Sequence, residues 1–334
     1  MYIFVYIYIK NIKIIYSMNN KIIKTTLALL TAVYLQPIFG QTFSWVADSN
    51  PIIKHKYTAD PATMVCGDTL WLFTGEDFAG NQQNIHMENW CVFSTTDMRT
   101  FTEYPVPLRA DEFKWSSGIA YASQVIERNG RYYWYVSTDN TGIGVAVSDR
   151  PEGPYKDAIG KPLLTVKDCF ASKKQWACID PTVMIDDDGQ AWIFWGNGEC
   201  YYAKLKENMV EIDGKIRQVD FNGFVFEEAP WIHKHNGKYY LTYSSGFPER
   251  TAYAMADNIE GPWKYMGILN ELAGNSSSNH QAIQEFKGKW YFFYHNGGLK
   301  GGTSCSRSVC ADYLYYNPDG SLKRIIMTSE GVSQ

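Results

Sequence analysis

The sequence predicts an all-β fold, a five-bladed β-propeller, from three observations. One aromatic strand design occurs five times, each copy opens on a glycine turn, and amphipathic helical periodicity is nearly absent beyond the first forty residues. The opening glycines are Gly67, Gly130, Gly189, Gly237 and Gly288, at successive intervals of 63, 59, 48 and 51 residues. A repeat of roughly 50 residues holding several short strands has the period of propeller blades. Hydrophobic residues make up 45% of the 334 and aromatics 16%, enough for a large core, while 20% charged residues argue against disorder.

In chain order, residues 1–40 read as an N-terminal extension followed by an export signal. Residues 18–24 are a short basic region, 25–35 are apolar, and Gly40 is a small residue before the expected cleavage at Gln41. The true start is expected at Met18. The apolar run is shorter than the roughly 20 residues of a membrane span, so no stable membrane insertion is expected once it is removed. Export would lead to the periplasm, the cell surface or the medium. A single propeller domain is expected over 41–334, with no linker or low-complexity stretch inside it.

The first repeat pairs Thr58-Ala59-Asp60-Pro61 with the aromatic strand after Gly67. The second pairs Ala120-Tyr121-Ala122 with the strand after Gly130, and Gly153-Pro154 marks its outer turn. The third pairs Ile179-Asp180-Pro181 with the strand after Gly189. The fourth pairs Glu227-Glu228-Ala229-Pro230 with the strand after Gly237, and Gly261-Pro262 marks its outer turn. The fifth pairs Ser278-Asn279-His280 with the strand after Gly288, and Asn317-Pro318-Asp319-Gly320 is a late hairpin turn.

Without residues 1–40 the chain carries 27 basic and 35 acidic residues, a formal charge of −8. No Lys/Arg run suggests nucleic acid, and an acidic surface suits neutral ligands better than polyanions. Seven cysteines form no Cys-x-x-Cys pair. Cys169 and Cys178 flank a loop just before Asp180 and would bridge in an oxidising compartment; buried thiols are the alternative.

The short segments preceding the aromatic strands read as inner strands at one phase of the repeat. Equivalent positions of a rotational repeat face one axis, so Asp60, Asp180, Glu228 and His280 are expected to converge there. Like charges crowded into a low-dielectric site cannot all stay ionised, so one carboxyl is pushed up in pKa. An acid and a base then stand side by side, as hydrolysis of a glycosidic bond requires. Proline directly after Asp60 and Asp180, and two residues after Glu228, suits strands ending at the mouth of a funnel. Strand alternation turns Glu227 away from Glu228.

The segments around Asp60-Pro61, Asp180-Pro181-Thr182-Val183 and Glu228-Ala229-Pro230-Trp231 resemble, in order and in their five-repeat frame, the three catalytic motifs of glycoside hydrolase family 43. The resemblance implies Asp60 as general base, Asp180 as pKa modulator and orienter, Glu228 as general acid, and inversion at the anomeric carbon. It also implies that His280 stands beside a structural calcium ion with a water shell on the propeller axis; calcium prefers oxygen ligands, and a histidine hydrogen-bonded on the axis or in contact with substrate is the competing reading. No organic cofactor is implied. Arg307 resembles an arginine that contacts sugar hydroxyls; a structural salt bridge is its alternative. Among Trp90, Trp115, Trp176 and Trp231, the preferred sugar platforms are Trp115 and Trp231. Tyr121 stands where relatives often carry tryptophan.

The expected activity is removal of arabinofuranosyl or xylosyl units from plant cell-wall hemicellulose by an α-L-arabinofuranosidase or β-xylosidase. An endo-arabinanase of the same family and a non-catalytic carbohydrate-binding propeller are the alternatives. A retaining fructan enzyme fits less well, because Asp180 lacks a preceding arginine.

Overall fold

The computed structural model describes residues 41–79 and 83–332; the extension and signal expected over 1–40 lie outside them. Residues 42–334 form one compact unit, built of antiparallel sheets that radiate as five blades. The first blade contains β1 (Phe43–Val46), β2 (Thr58–Cys66), β3 (Thr69–Asp77), β4 (Met87–Thr95), β5 (Thr100–Glu103) and the short β6 (Leu108–Arg109). The second contains β7 (Ala120–Arg128), β8 (Arg131–Thr138), β9 (Gly142–Ser148) and β10 (Lys156–Asp157). The third contains β11 (Thr182–Ile185), β12 (Ala191–Trp195), β13 (Tyr201–Leu205) and β14 (Ile212–Gln218). The fourth contains β15 (Glu228–His235), β16 (Lys238–Ser245), β17 (Arg250–Ala256) and β18 (Lys264–Ile268), and the fifth β19 (Ala282–Phe286), β20 (Lys289–Asn296) and β21 (Ser308–Leu314).

The five glycine turns lie between the first and second strands of the blades. In blades two, four and five both turn residues have positive φ: Asn129-Gly130, Asn236-Gly237 and Lys287-Gly288. That is the two-residue turn whose twist matches a right-handed hairpin. It fixes the register, so the aromatic strands present their side chains to the same inter-blade layers.

Those layers are the core. Trp90, Trp134, Trp195, Tyr135 and Tyr243 are fully buried. Most satisfy their polar atom as well: Trp134 Nε1 donates to Ser123 Oγ at 2.9 Å, and the Tyr135 hydroxyl donates to the Met209 carbonyl at 2.6 Å. Each such side chain contributes about 1.5–3 kcal/mol relative to exposure.

The ring is closed by the chain's own N-terminal segment. The Ile52 N–H donates to the Val309 carbonyl and Thr58 N–H to the Arg307 carbonyl, each at 2.9 Å. Asn50 adds both a donor and an acceptor to Ala311 of β21. This closure sets Arg307, just before β21, beside Asp60 on β2.

Candidate active site

A cavity of about 680 Å³ opens where the inner strands converge, lined by Asp60, Asp180, Glu228, His280, Arg307 and Tyr121, with Trp176, Phe247, Asn84 and Ile85 further out. The three acids are brought together, but not at one phase. Asp60-Pro61, Tyr121-Ala122 and Ala229-Pro230 are the two-for-one bulges of their blades, each opposing a single residue on the neighbouring strand. Ile179 accepts from Gly196 N–H, which sets Asp180-Pro181 in the same place. The residue equivalent to Asp60 and Asp180 is therefore Ala229, and Glu228 stands one position before it. The bulge breaks simple alternation, which is why Glu228 reaches the cavity from a different phase. Asp60, Asp180 and Ala229 have φ of 52°, 59° and 56°, a left-handed conformation that costs an alanine roughly 1–2 kcal/mol. In that conformation the Ala229 N–H donates to Asp180 Oδ2 at 3.0 Å, which ties Asp180 to the strand carrying Glu228. Glu227 turns away as expected and pairs with Lys174.

Arg307 is 2% exposed and forms a two-pronged pair with Asp77, with Nε and Nη2 on its two oxygens at 2.9 Å each. Its Nη1 donates to Asp60 Oδ1 at 2.8 Å. The salt-bridge reading of Arg307 is thus realised, and the residue also lines the cavity. His295 Nδ1 accepts the Asp60 N–H at 3.2 Å. Burial alone would raise the Asp60 pKa; the Arg307 guanidinium, helped by His295 and His280, overrides it and holds the carboxyl well below the ordinary range.

Glu228 has the opposite surroundings. Burial, then the Asp60 charge, pushes it up to about 7. Asn197 Nδ2 donates to its Oε2 at 2.5 Å. Asp180 is also raised, by burial and by the charges of Glu228 and Asp60. One carboxyl is ionised and another holds a proton near neutrality, within one cavity, and that pair can give and take protons across a bond.

His280 Nδ1 lies 3.9 Å from both Asp60 Oδ1 and Asp180 Oδ2. Burial pushes its pKa down to about 4, so the imidazole is neutral at neutral pH. The imidazole offers a nitrogen where calcium prefers oxygen, and the nearest carboxyl oxygens, Asp60 Oδ1 and Asp180 Oδ2, are already hydrogen-bonded to Arg307 and Ala229, so an axial calcium here would be held chiefly by its water shell. Among the described residues no group of three or more His, Cys, Asp or Glu is arranged to hold a metal ion.

The preference for Trp115 and Trp231 as sugar platforms is corrected. Trp231 is 4% exposed, donates to the Ile283 carbonyl and packs in the core. Trp115 donates to Asp157 and lies against Gly144, where an added Cβ would come within 2.6 Å of its ring. The aromatics at the rim are Trp176, 49% exposed, and Phe247, 73% exposed. Tyr121 does line the cavity, and its carbonyl accepts the Trp90 indole N–H at 2.7 Å. Cys169 and Cys178 are both free and buried.

Sequence reasoning missed Asp77, His295, Asn197 and Glu249. The first three sit at or just beyond the ends of second strands, where a strand meets the cavity rim. An acid ending the aromatic strand at Thr74-Gly75-Glu76-Asp77 was the available signal for Asp77.

A five-bladed propeller whose axial cavity gathers three buried carboxyls, one held below the ordinary pKa range and one pushed up to about 7, has the features of a glycoside hydrolase. The sequence profile of Glycosyl hydrolases family 43 matches residues 49–322, and the chain belongs to that family. It is 30% identical to xylosidase/arabinosidase 43A of Humicola insolens, over 81% of this chain and 98% of that protein. It is also 30% identical to a xylosidase/arabinosidase of Bacteroides ovatus, over 84% and 97%. Among solved structures, a family 43 β-xylosidase/α-arabinofuranosidase from a compost metagenome, described as a xylotriose complex in calcium-free form, superposes with a TM-score of 0.75. That protein is 28% identical over 85% of this chain and 98% of its own. An α-L-arabinofuranosidase of Clostridium thermocellum gives 0.72 at 32% identity, over 84% and 97%.

Proposed function

We propose that this glycoside hydrolase releases arabinofuranosyl or xylosyl units from arabinoxylan or xylan with inversion at the anomeric carbon. The observation that carries the reading is the split between an Asp60 locked ionised by Arg307 and a Glu228 pushed up to about 7. Glu228 gives its proton to the glycosidic oxygen as the C1–O bond breaks. Asp60 takes a proton from the water whose oxygen attacks C1 from the opposite face. Asp180, fixed by the Ala229 N–H, orients the acid. Inversion requires the acid and base carboxyls to stand about 6.5–9.5 Å apart, with room for that water. Trp176 and Phe247 offer apolar faces to the sugars beyond the cleaved bond.

The substrate class rests on the relatives named xylosidase/arabinosidase. Export of the protein, with residues 1–40 as leader, goes with a polymeric cell-wall substrate; N-terminal sequencing of protein recovered from cell fractions checks it. Product analysis on arabinoxylan and on xylo-oligosaccharides tests the activity. Free arabinose from the first marks an arabinofuranosidase, and free xylose from the second a β-xylosidase. Proton NMR of the first-formed sugar reads the stereochemistry. Release of neither sugar by folded protein overturns the proposal, and a first product of retained configuration overturns the inverting step.

A further inference from the structure

Glu228 of blade four is held by a residue of blade three. Asn197 lies in the turn between β12 and β13, flanked by Gly196 and Gly198. Both glycines have positive φ, 139° and 76°, and a Cβ on Gly196 would stand 2.0 Å from the Glu199 carbonyl oxygen. Glycine alone fits that turn. The Asn197 backbone is tied to the segment that leads into Asp180: its N–H donates to the Ala177 carbonyl, and its own carbonyl accepts the Ser172 hydroxyl, each at 3.1 Å. The Gly198 N–H donates to the Glu227 carbonyl at 2.6 Å, so the turn also grips the chain beside the acid. Asn197 is 2% exposed. Its Nδ2 donates to Glu228 Oε2 at 2.5 Å, and its Oδ1 is buried with no hydrogen-bond partner. Turning the amide over would leave two N–H donors unpaired in place of one carbonyl oxygen, and buried donors go unpaired more rarely than carbonyl oxygens. The amide therefore keeps a donor on the acid.

We propose that Asn197 is a positioning residue for the acid: its amide occupies Oε2, so Glu228 carries its proton on Oε1, and the same amide stabilises the carboxylate left when that proton passes to the glycosidic oxygen. The inference rests on Glu228 acting as the acid. The proton count balances. The O–H bond at Oε1 breaks as the new O–H bond forms on the leaving oxygen, and the amide gives up no proton. Its hydrogen bond to Oε2 becomes charge-assisted and stronger in that step. Charge thus develops where a fixed donor already stands. Without that donor Glu228 is a weaker acid. The titratable and charged groups facing Glu228 are Asp60, Asp180, Glu227, Tyr121, Glu249 and Arg307. The four other acids and Tyr121 bring no positive charge to it, and Arg307 is engaged by Asp77 and Asp60.

The test uses the full chain, with wild type and Asn197→Leu assayed on two aryl glycosides, one whose leaving group needs protonation and one whose leaving group does not. Leucine has nearly the shape of asparagine and no donor. Asn197→Leu is expected to lower kcat about tenfold to a hundredfold on the first substrate and far less on the second. The basic limb of the kcat profile on the first substrate is expected to move to higher pH. Equal losses on both substrates with an unmoved limb overturn the proposal, since a merely structural role predicts that result. A limb moved to lower pH also overturns it, since an amide oxygen facing the acid predicts that. Nitrogen NMR of wild type and Glu228→Gln, each labelled at its asparagines, decides the matter without activity or a change at residue 197. One side-chain amide is expected to shift as pH passes through about 7 in wild type and to stay fixed in Glu228→Gln. Absence of such an amide overturns the proposal. Wild type inactive on both substrates refutes the function proposed above, and the amide titration still decides whether Asn197 holds Glu228.

Discussion

The two sides of the cavity face the same sugar-sized space and treat a carboxyl in opposite ways. On the side of blades one and five, Asp60 has a guanidinium, two imidazoles and no acid in direct contact. On the side of blade four, Glu228 has an amide and the field of Asp60. Burial is common to both and raises both. What separates them is that ring closure delivers Arg307 to one side only. On the mechanism proposed above, acid and base would be assigned by topology, through the N-terminal segment that docks on β21, rather than by the identity of the carboxylic side chain.

The comparison breaks most sharply at Asp60. Asp60→Asn is the appropriate variant, because asparagine tolerates the left-handed φ of 52° that alanine would strain. It is expected to lower kcat about 10²–10⁴-fold and to lower the melting temperature as well, because it removes one partner of the buried Asp60–Arg307 pair. Steady-state kinetics with thermal unfolding checks both.

Arg307→Met comes next. It strands Asp60 and Asp77 as buried charges, and removal of one partner from such a pair costs about 3–5 kcal/mol. The expected result is a large drop in denaturant midpoint together with loss of activity, read by urea unfolding.

Glu228→Gln sharpens the comparison through pH. A carboxyl whose folded pKa is about 7 contributes stability that is fully present below its unfolded pKa of about 4.3 and is lost as pH rises through about 7. Glutamine has no such loss. The variant is expected to match wild type in acid and to exceed it by on the order of 3–4 kcal/mol above neutrality, as unfolding curves at the two pH values would record. Asp60 has the opposite sign: its lowered pKa gives stability present above the ordinary aspartate range and lost as pH falls below it.

Lys174→Ala should do least. Its pair with Glu227 is partly exposed, such pairs contribute less than about 1 kcal/mol, and turnover is expected to stay within about twofold. A large effect would mean that Glu227, rather than Glu228, faces the substrate.

The propeller was legible because each blade repeats a local signal, a glycine turn and an aromatic strand, that needs no knowledge of the other blades. The positions of Asp60 and Asp180 followed from the same repeat. Glu228 was found although the phase argument put it one residue off: its motif marked it, while the bulge at Ala229 that turns it inward had no sequence signature beyond Pro230. Asp77 was marked only as an acid ending its strand, and His295 and Asn197 were not legible, since each contributes through a partner more than 20 residues away, on another strand or another blade. The tryptophans misled for a related reason. Trp231 and Trp176 are chemically identical, and only the register of β15 buries the first while a loop exposes the second.

The central claim is that Glu228 is the protonated carboxyl of the pair and Asp60 the ionised one. It is tested most directly by the pH dependence of kcat/KM for wild type and Glu228→Gln on two aryl glycosides, one with a leaving group that needs protonation and one that does not. The account predicts a basic limb near pH 7 in wild type on the first substrate. It predicts that Glu228→Gln fails on that substrate, retains turnover on the second, and has no basic limb there. A Glu228→Gln enzyme that cleaves both substrates with the wild-type basic limb would contradict it.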